Sequence, residues 1–185
     1  YVIGLRKKIE NKKPIIGPYS VNQEGPGDMY PKGANLMHMI RHIIGDSTFK
    51  AMMLEMNKRF YHKVTSSAEI EKFISGFSGR DLSKVFDQYL RTTKIPVLEW
   101  SMRDGDLFMR WANCVDGFSM PANIMVNGEE RVLQVSQNWS FPVSGLRTVL
   151  VSVDRNWYVT ARQAGKKALT KQEIRSLKAK ASGTP

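Results

Sequence analysis

Cysteine is almost absent from this 185-residue sequence: Cys114 stands alone. That excludes an internal disulfide framework and any zinc site built on several thiolates. Long apolar runs are missing too. No stretch approaches the roughly 20 residues that a membrane-spanning helix needs, and no signal-peptide pattern opens the sequence. Histidine is scarce. His38, His42 and His62 are its three examples, all in one helical stretch. With no Gly-x-Ser-x-Gly elbow either, a serine nucleophile has no base arranged for it. Acidic residues are outnumbered, 17 against 28 Lys and Arg, for a net charge of +11. What is present, 42% hydrophobic and 24% charged, excludes wholesale disorder and suffices for one or two domains with a real core.

The positive charge is concentrated at the two ends. Residues 1–20 carry Arg6, Lys7, Lys8, Lys12 and Lys13 against Glu10, and residues 164–185 carry Lys166, Lys167, Lys171, Arg175, Lys178 and Lys180 against Glu173. A nucleic-acid groove spreads basic residues over a folded face with aromatics among them. Charge at the termini reads instead as solvated arms, with phosphate contact the lesser reading and no nucleic-acid partner expected.

The first half has helical period. After a Pro/Gly-rich loop from Pro14 to Asp28, Leu36, Met39, Ile40, Ile43 and Ile44 form an amphipathic stripe that ends at Gly45. Asp46 and Ser47 are candidate caps for a second helix with the stripe Phe49, Met52, Met53, Met56 and Phe60. Ser66 and Glu69 have capping-box spacing before Ile70, Phe73 and Ile74. Ser78 and Asp81 are similarly spaced before Leu82, Val85, Phe86, Tyr89 and Leu90, and Pro96 stops any continuation.

The second half changes to period two. Asp104-Gly105 and Asn127-Gly128 are hairpin dipeptides flanked by β-prone runs. Strands are expected over Val97–Met102, Leu107–Trp111, Ala122–Val126, Arg131–Ser136, Leu146–Val153 and Trp157–Thr160, together a small antiparallel sandwich. Beyond Gly165 large apolar residues are few and lysines many, and the modest helix potential at Ile174 and Leu177 has no convincing partner face. The fold class is therefore α+β. Residues 1–93 form a loop and four helices, 94–164 a β-sandwich, and 165–185 a frayed basic tail.

Few residues offer chemistry alone. His38 and His42 have the i, i+4 spacing of a zinc pair, yet Met39 stands where the general base of HExxH would be and Arg41 adds positive charge. They read as a polar helix face, since zinc needs three or four ligands. Cys114 reads as a small hydrophobe rather than a nucleophile. Gly25-Pro26-Gly27 lacks the Lys-Ser/Thr of a phosphate loop. Tyr30-Pro31-Lys32-Gly33 is the sharper pattern. It lies where the loop runs into the first helix, and a tyrosine there either packs on the loop or projects its hydroxyl into a cleft.

Asp28-Met29-Tyr30-Pro31-Lys32-Gly33-Ala34-Asn35-Leu36 resembles the Tyr-x-Lys-Gly segment of zinc aminopeptidases of the aminopeptidase N and leukotriene hydrolase family, which are gluzincin metallopeptidases. Ile43–Phe49 resembles the family's Leu-Gly-x-x-x-Phe turn, and Val64-Thr65-Ser66 its approach to the next helix. Ser78-Gly79-Arg80-Asp81-Leu82 is similar to its Ser/Thr-Gly-x-Asp-Leu helix. Ile95-Pro96-Val97-Leu98 matches the Gly-x-Pro passage into a β domain without the glycine. Asp154-Arg155-Asn156-Trp157 is similar to the closing Asp-x-x-x-Trp. The resemblance runs from about Ile3 to Val159, with Tyr89 where the family often has Trp.

The resemblance implies the end of a thermolysin-like catalytic domain followed by a β-sandwich, from a larger peptidase acting on N-terminal peptide bonds. It implies Zn2+ in the parent enzyme, bound by an HExxH and a downstream glutamate that family order places before Tyr30, outside this chain. It implies a peptide substrate and the N-terminal remainder of the same polypeptide as partners, and no activity in the fragment alone. Tyr30 alone carries over as a catalytic residue, donating a hydrogen bond to the oxyanion. Lys32 reads either as a second electrophile or as a helix-start lysine on a solvated or interdomain face. The sequence leaves the compartment open; export is common among bacterial family members. The alternative is a non-catalytic helical and β interaction module whose basic arms bind an acidic partner.

Overall fold

A computed structural model describes residues 1–17, 24–147, 150–165 and 168–181. Residues 18–23 of the expected loop, 148–149 of an expected strand, and Lys166, Lys167 and 182–185 of the expected tail lie outside the described residues. The chain divides into two compact units, Tyr1–Lys94 with Arg155–Tyr158, and Ile95–Asp154 with Val159–Pro185.

The first unit is helical. A short 3-10 helix (Ile3–Lys8) precedes α1 (Met29–Ile44), α2 (Asp46–Phe60), α3 (Ser67–Ser78) and α4 (Ser83–Arg91). The α1 stripe is buried at Leu36, Met39, Ile40 and Ile43, joined by Met52, Ile74, Val85, Phe86 and Tyr89. Gly45, at φ 85°, lets the chain turn from α1 directly into α2. No side chain caps α2; Asp46 instead pairs with Arg41 at 2.7 Å. Ser66 and Glu69 form the reciprocal capping box of α3. The Ser78 and Asp81 pattern does not make a second one. Gly79 takes the left-handed conformation that only glycine adopts cheaply and ends α3. Asp81 then accepts from the Ser83 N–H at 2.9 Å, and buried Leu82 stands just before α4.

The second unit holds two sheets. β1 (Val97–Arg103), β2 (Asp106–Ala112), β5 (Ser140–Val143) and β7 (Thr160–Gln163) make one in the order β5-β2-β1-β7. β3 (Ser119–Val126), β4 (Glu129–Ser136) and β6 (Val151–Val153) make the other in the order β4-β3-β6. Both hairpin dipeptides turn as their chemistry dictates, with φ of 51° and 82° at Asp104-Gly105 and 52° and 87° at Asn127-Gly128. The Trp111 indole donates to the Met120 carbonyl at 2.9 Å, linking β2 to β3. The strand expected at Trp157–Thr160 begins only at Thr160, and Trp157 is buried in a bend before it. β7 runs parallel to β1, so the sheets are not wholly antiparallel. A parallel neighbour needs a long connection, and β2 to β6 all lie between β1 and β7 in the chain.

The frayed tail is corrected. Lys171–Ala181 form a helix, α5, with Thr170 and Glu173 in reciprocal capping contact at its start. Leu169 and Ile174 are buried in a cluster with Phe108 and Trp139, with Leu177 packed against it. Lys178 pairs with Asp106 at 2.6 Å. The partner face for Ile174 comes from β2 and the segment before β5, distant in sequence.

The N-terminal arm is likewise built in. Arg6 donates to Asn35 Oδ1 at 2.6 Å and to the carbonyls of Arg155 and Asn156 at 2.8 and 3.1 Å.

Candidate functional site

Tyr30 lies in the first turn of α1 and is 71% exposed. It borders an open cleft of about 1370 Å3, whose other walls include Leu5, Lys8, Lys13, Ile15 and Ile16. The surrounding segment is held firmly. Gly25-Pro26-Gly27 leads into the helix through a turn in which the Met29 N–H donates to the Pro26 carbonyl at 3.0 Å. Asp28, itself buried, does not cap α1 with its side chain. Its carboxylate oxygens accept the N–H groups of Glu10 and Asn11 at 2.9 and 2.6 Å, pinning the N-terminal segment against the helix start. Pro31 falls in the first turn, where an N–H has no intrahelical partner to lose. Asn35 is fully buried and donates to the carbonyls of Val2 and Pro31 at 3.0 and 2.9 Å.

Lys32 departs from expectation. It is neither solvated nor an electrophile facing the cleft. It is fully buried, and its Nζ donates to the carbonyl of Thr92 at 2.8 Å. Burial pushes its pKa down, opposed in part by the negative charge of Asp28. Sequence reasoning missed this because lysine is almost never fully buried without a partner, and the partner is a backbone carbonyl 60 residues away.

Of the other candidates, His38 and His42 stack edge-to-face with ring centroids 4.7 Å apart, and His38 Nε2 lies 3.1 Å from Asn156 Oδ1. His62 stacks on Tyr61. Cys114 is half-buried, its Sγ 3.6 Å from the Trp111 carbonyl. Among the described residues no group of three His, Cys, Asp or Glu could hold a metal ion. Zinc needs three or four such ligands, so the described residues do not fit that ion.

The exposed tyrosine and its cleft thus belong to the helical unit, and the two-sheet unit follows it in the chain. Over 81 residues, 44% of the chain, the sequence is 28% identical to aminopeptidase N of Lactococcus lactis subsp. lactis. The fold is similar to that of Legionella pneumophila aminopeptidase A, solved in complex with aspartic acid, with a TM-score of 0.61 at 16% identity over 89% of this chain. The matched region is 10% of the former protein and 23% of the latter chain. No protein-family model matches the sequence.

Proposed function

We propose that this chain is a C-terminal part of a zinc-dependent aminopeptidase of the aminopeptidase N and leukotriene hydrolase family, which hydrolyses N-terminal peptide bonds. In this reading the helical unit ends a thermolysin-like catalytic domain, and the two sheets form a buttressing β-sandwich. The peptide substrate and the preceding part of the same polypeptide are its partners. The zinc ligands lie outside this chain, and the chain alone is inactive.

One observation carries the reading: Tyr30, the exposed residue of the Tyr-x-Lys-Gly segment, borders the cleft and is flanked by the buried anchors Asp28, Pro31 and Lys32. When water attacks a peptide carbonyl, negative charge develops on the carbonyl oxygen. A hydroxyl donor fixed in advance stabilises that charge without reorganising during the reaction. Tyr30 offers such a donor on a rigid helix start. Asp28 and Asn35 hold the backbone beneath it.

Tyr30→Phe in the longest polypeptide that contains this chain is the test, because it keeps the ring and removes only the donor. Loss of one oxyanion donor lowers kcat by about 10²–10³-fold, with KM nearly unchanged. Near-normal kcat would overturn the assignment. Of the basic residues that the interaction-module alternative would use, Arg6 is bound to Asn35 and the Asp106 carboxylate holds Lys178.

A further inference from the structure

We propose that Lys32 is a positioning residue for Tyr30: its tie to Thr92 sets the rotation of the first turn of α1 and so aims the phenolic hydroxyl. The proposal rests on the aminopeptidase reading of Tyr30. Its geometry is that of the helix. Successive residues are about 100° apart around an α-helix, so residues i and i+2 point to nearly opposite sides. With Lys32 drawn wholly into the interior and Tyr30 71% exposed, the depth of one fixes the outward direction of the other.

The acceptor end is as firmly built as the donor end. Thr92 is the C-cap of α4, where helix carbonyls lack intrahelical partners and carry the negative end of the helix dipole. A buried ammonium suits that position. The Thr92 hydroxyl donates to the Gln88 carbonyl at 2.6 Å and accepts from the Lys94 N–H at 3.1 Å. Gln88, itself fully buried, donates to the Lys94 carbonyl at 2.8 Å. The Lys32 contact therefore ends on a braced turn rather than a loose one.

A lysine is a costly way to fill a core. Removing an ammonium from water is costly, and apolar replacements of buried charged groups at similar volume are often no less stable. Methionine would fill much of the same space. What it could not do is fix α1 to the end of α4 through a directed hydrogen bond. Filling space and aiming Tyr30 are thus separable by experiment.

The test is a double-mutant cycle in the full-length peptidase: wild type, Tyr30→Phe, Lys32→Met and the double variant, with kcat, KM, zinc content and Tm measured for each. Lys32→Met is expected to lower kcat by about 10- to 100-fold, the cost of an active-site group displaced by about 1 Å, with KM within about two-fold. In the Tyr30→Phe background the same change should cost less than about two-fold, because there is no longer a hydroxyl to misplace. Equal losses in both backgrounds, or an unchanged kcat for Lys32→Met beside an impaired Tyr30→Phe, would overturn the role of Lys32 and leave that of Tyr30 standing. A fully active Tyr30→Phe would overturn both. If Lys32→Met fails to fold, Thr92→Val, which loosens the acceptor turn and leaves Lys32 intact, takes its place in the cycle under the same criteria.

Discussion

Glu99 on β1 and Arg162 on β7 meet across a parallel strand pair, Arg162 donating to Oε1 at 2.6 and 2.9 Å. Arg110 on β2 donates to Oε2 of the same carboxylate at 2.9 Å. One buried acid thus spans three strands. Burial raises its pKa, but the hydrogen bonds and charges of the two arginines outweigh burial and hold it below the usual glutamate value.

A carboxyl whose pKa is depressed by folding stabilises the protein above its unfolded value and loses that contribution as pH falls through the folded one. Wild type should therefore lose stability progressively below about pH 4.3, the ordinary glutamate value. Glu99→Gln should flatten that part of the profile. It should also cost about 1–2 kcal/mol at neutral pH, at the low end for hydrogen bonds to charged groups because Arg162 is mostly exposed. Urea unfolding of the two proteins between pH 3 and pH 7, the window about the carboxyl value, measures both effects.

The C-terminal helix should behave as part of the core. Ile174→Ala is expected to destabilise by about 2–4 kcal/mol, as for other buried aliphatic truncations. Deleting residues 168–185 should lower Tm further and expose Trp139, whose indole donates to the Ala168 carbonyl at 3.1 Å. Trp139 fluorescence follows that exposure directly. An unchanged Tm on deletion would restore the solvated tail.

Tyr89 is fully buried and its hydroxyl donates to the Tyr158 carbonyl at 2.7 Å. Burial raises its pKa well above the ordinary tyrosine value. Tyr89→Phe should cost about 1–2 kcal/mol by leaving that carbonyl unpaired. Thermal denaturation checks it.

The chain without any added domain should not retain stoichiometric zinc after dialysis, measured by elemental analysis. One tightly held zinc per chain, lost in a His38→Ala, His42→Ala variant, would show that the stacked histidine pair finds further ligands.

The helices and hairpins were legible because their signals are local. Leu36, Met39, Ile40 and Ile43 repeat at helical spacing and are buried together. Asp104-Gly105 and Asn127-Gly128 contain the chemistry of their own turns. Tyr30 could be singled out from its neighbours, but the burial of Lys32 could not, since its acceptor is the distant carbonyl of Thr92. The same limit applied to α5. Two apolar residues make a poor stripe until Phe108 and Trp139 are brought beneath them. Gly79 competed with a local signal and won: a glycine free to turn left-handed ended α3 where Ser78 and Asp81 had suggested a helix start.

Arg155–Tyr158 belong to the helical unit although residues on both sides of them belong to the sheet unit. The carbonyls that hold Arg6 and the carbonyl that receives the Tyr89 hydroxyl all come from this short return of the chain. On the ribosome, the helical unit therefore cannot finish folding when residue 94 emerges. Those contacts wait until residue 158 has emerged, and by then most of the sheet unit has emerged as well. Vectorial, unit-by-unit folding is the usual course for multidomain chains. This order of residues replaces it with a joint completion, and a nascent chain arrested shortly after residue 94 would present an unfinished helical unit to chaperones.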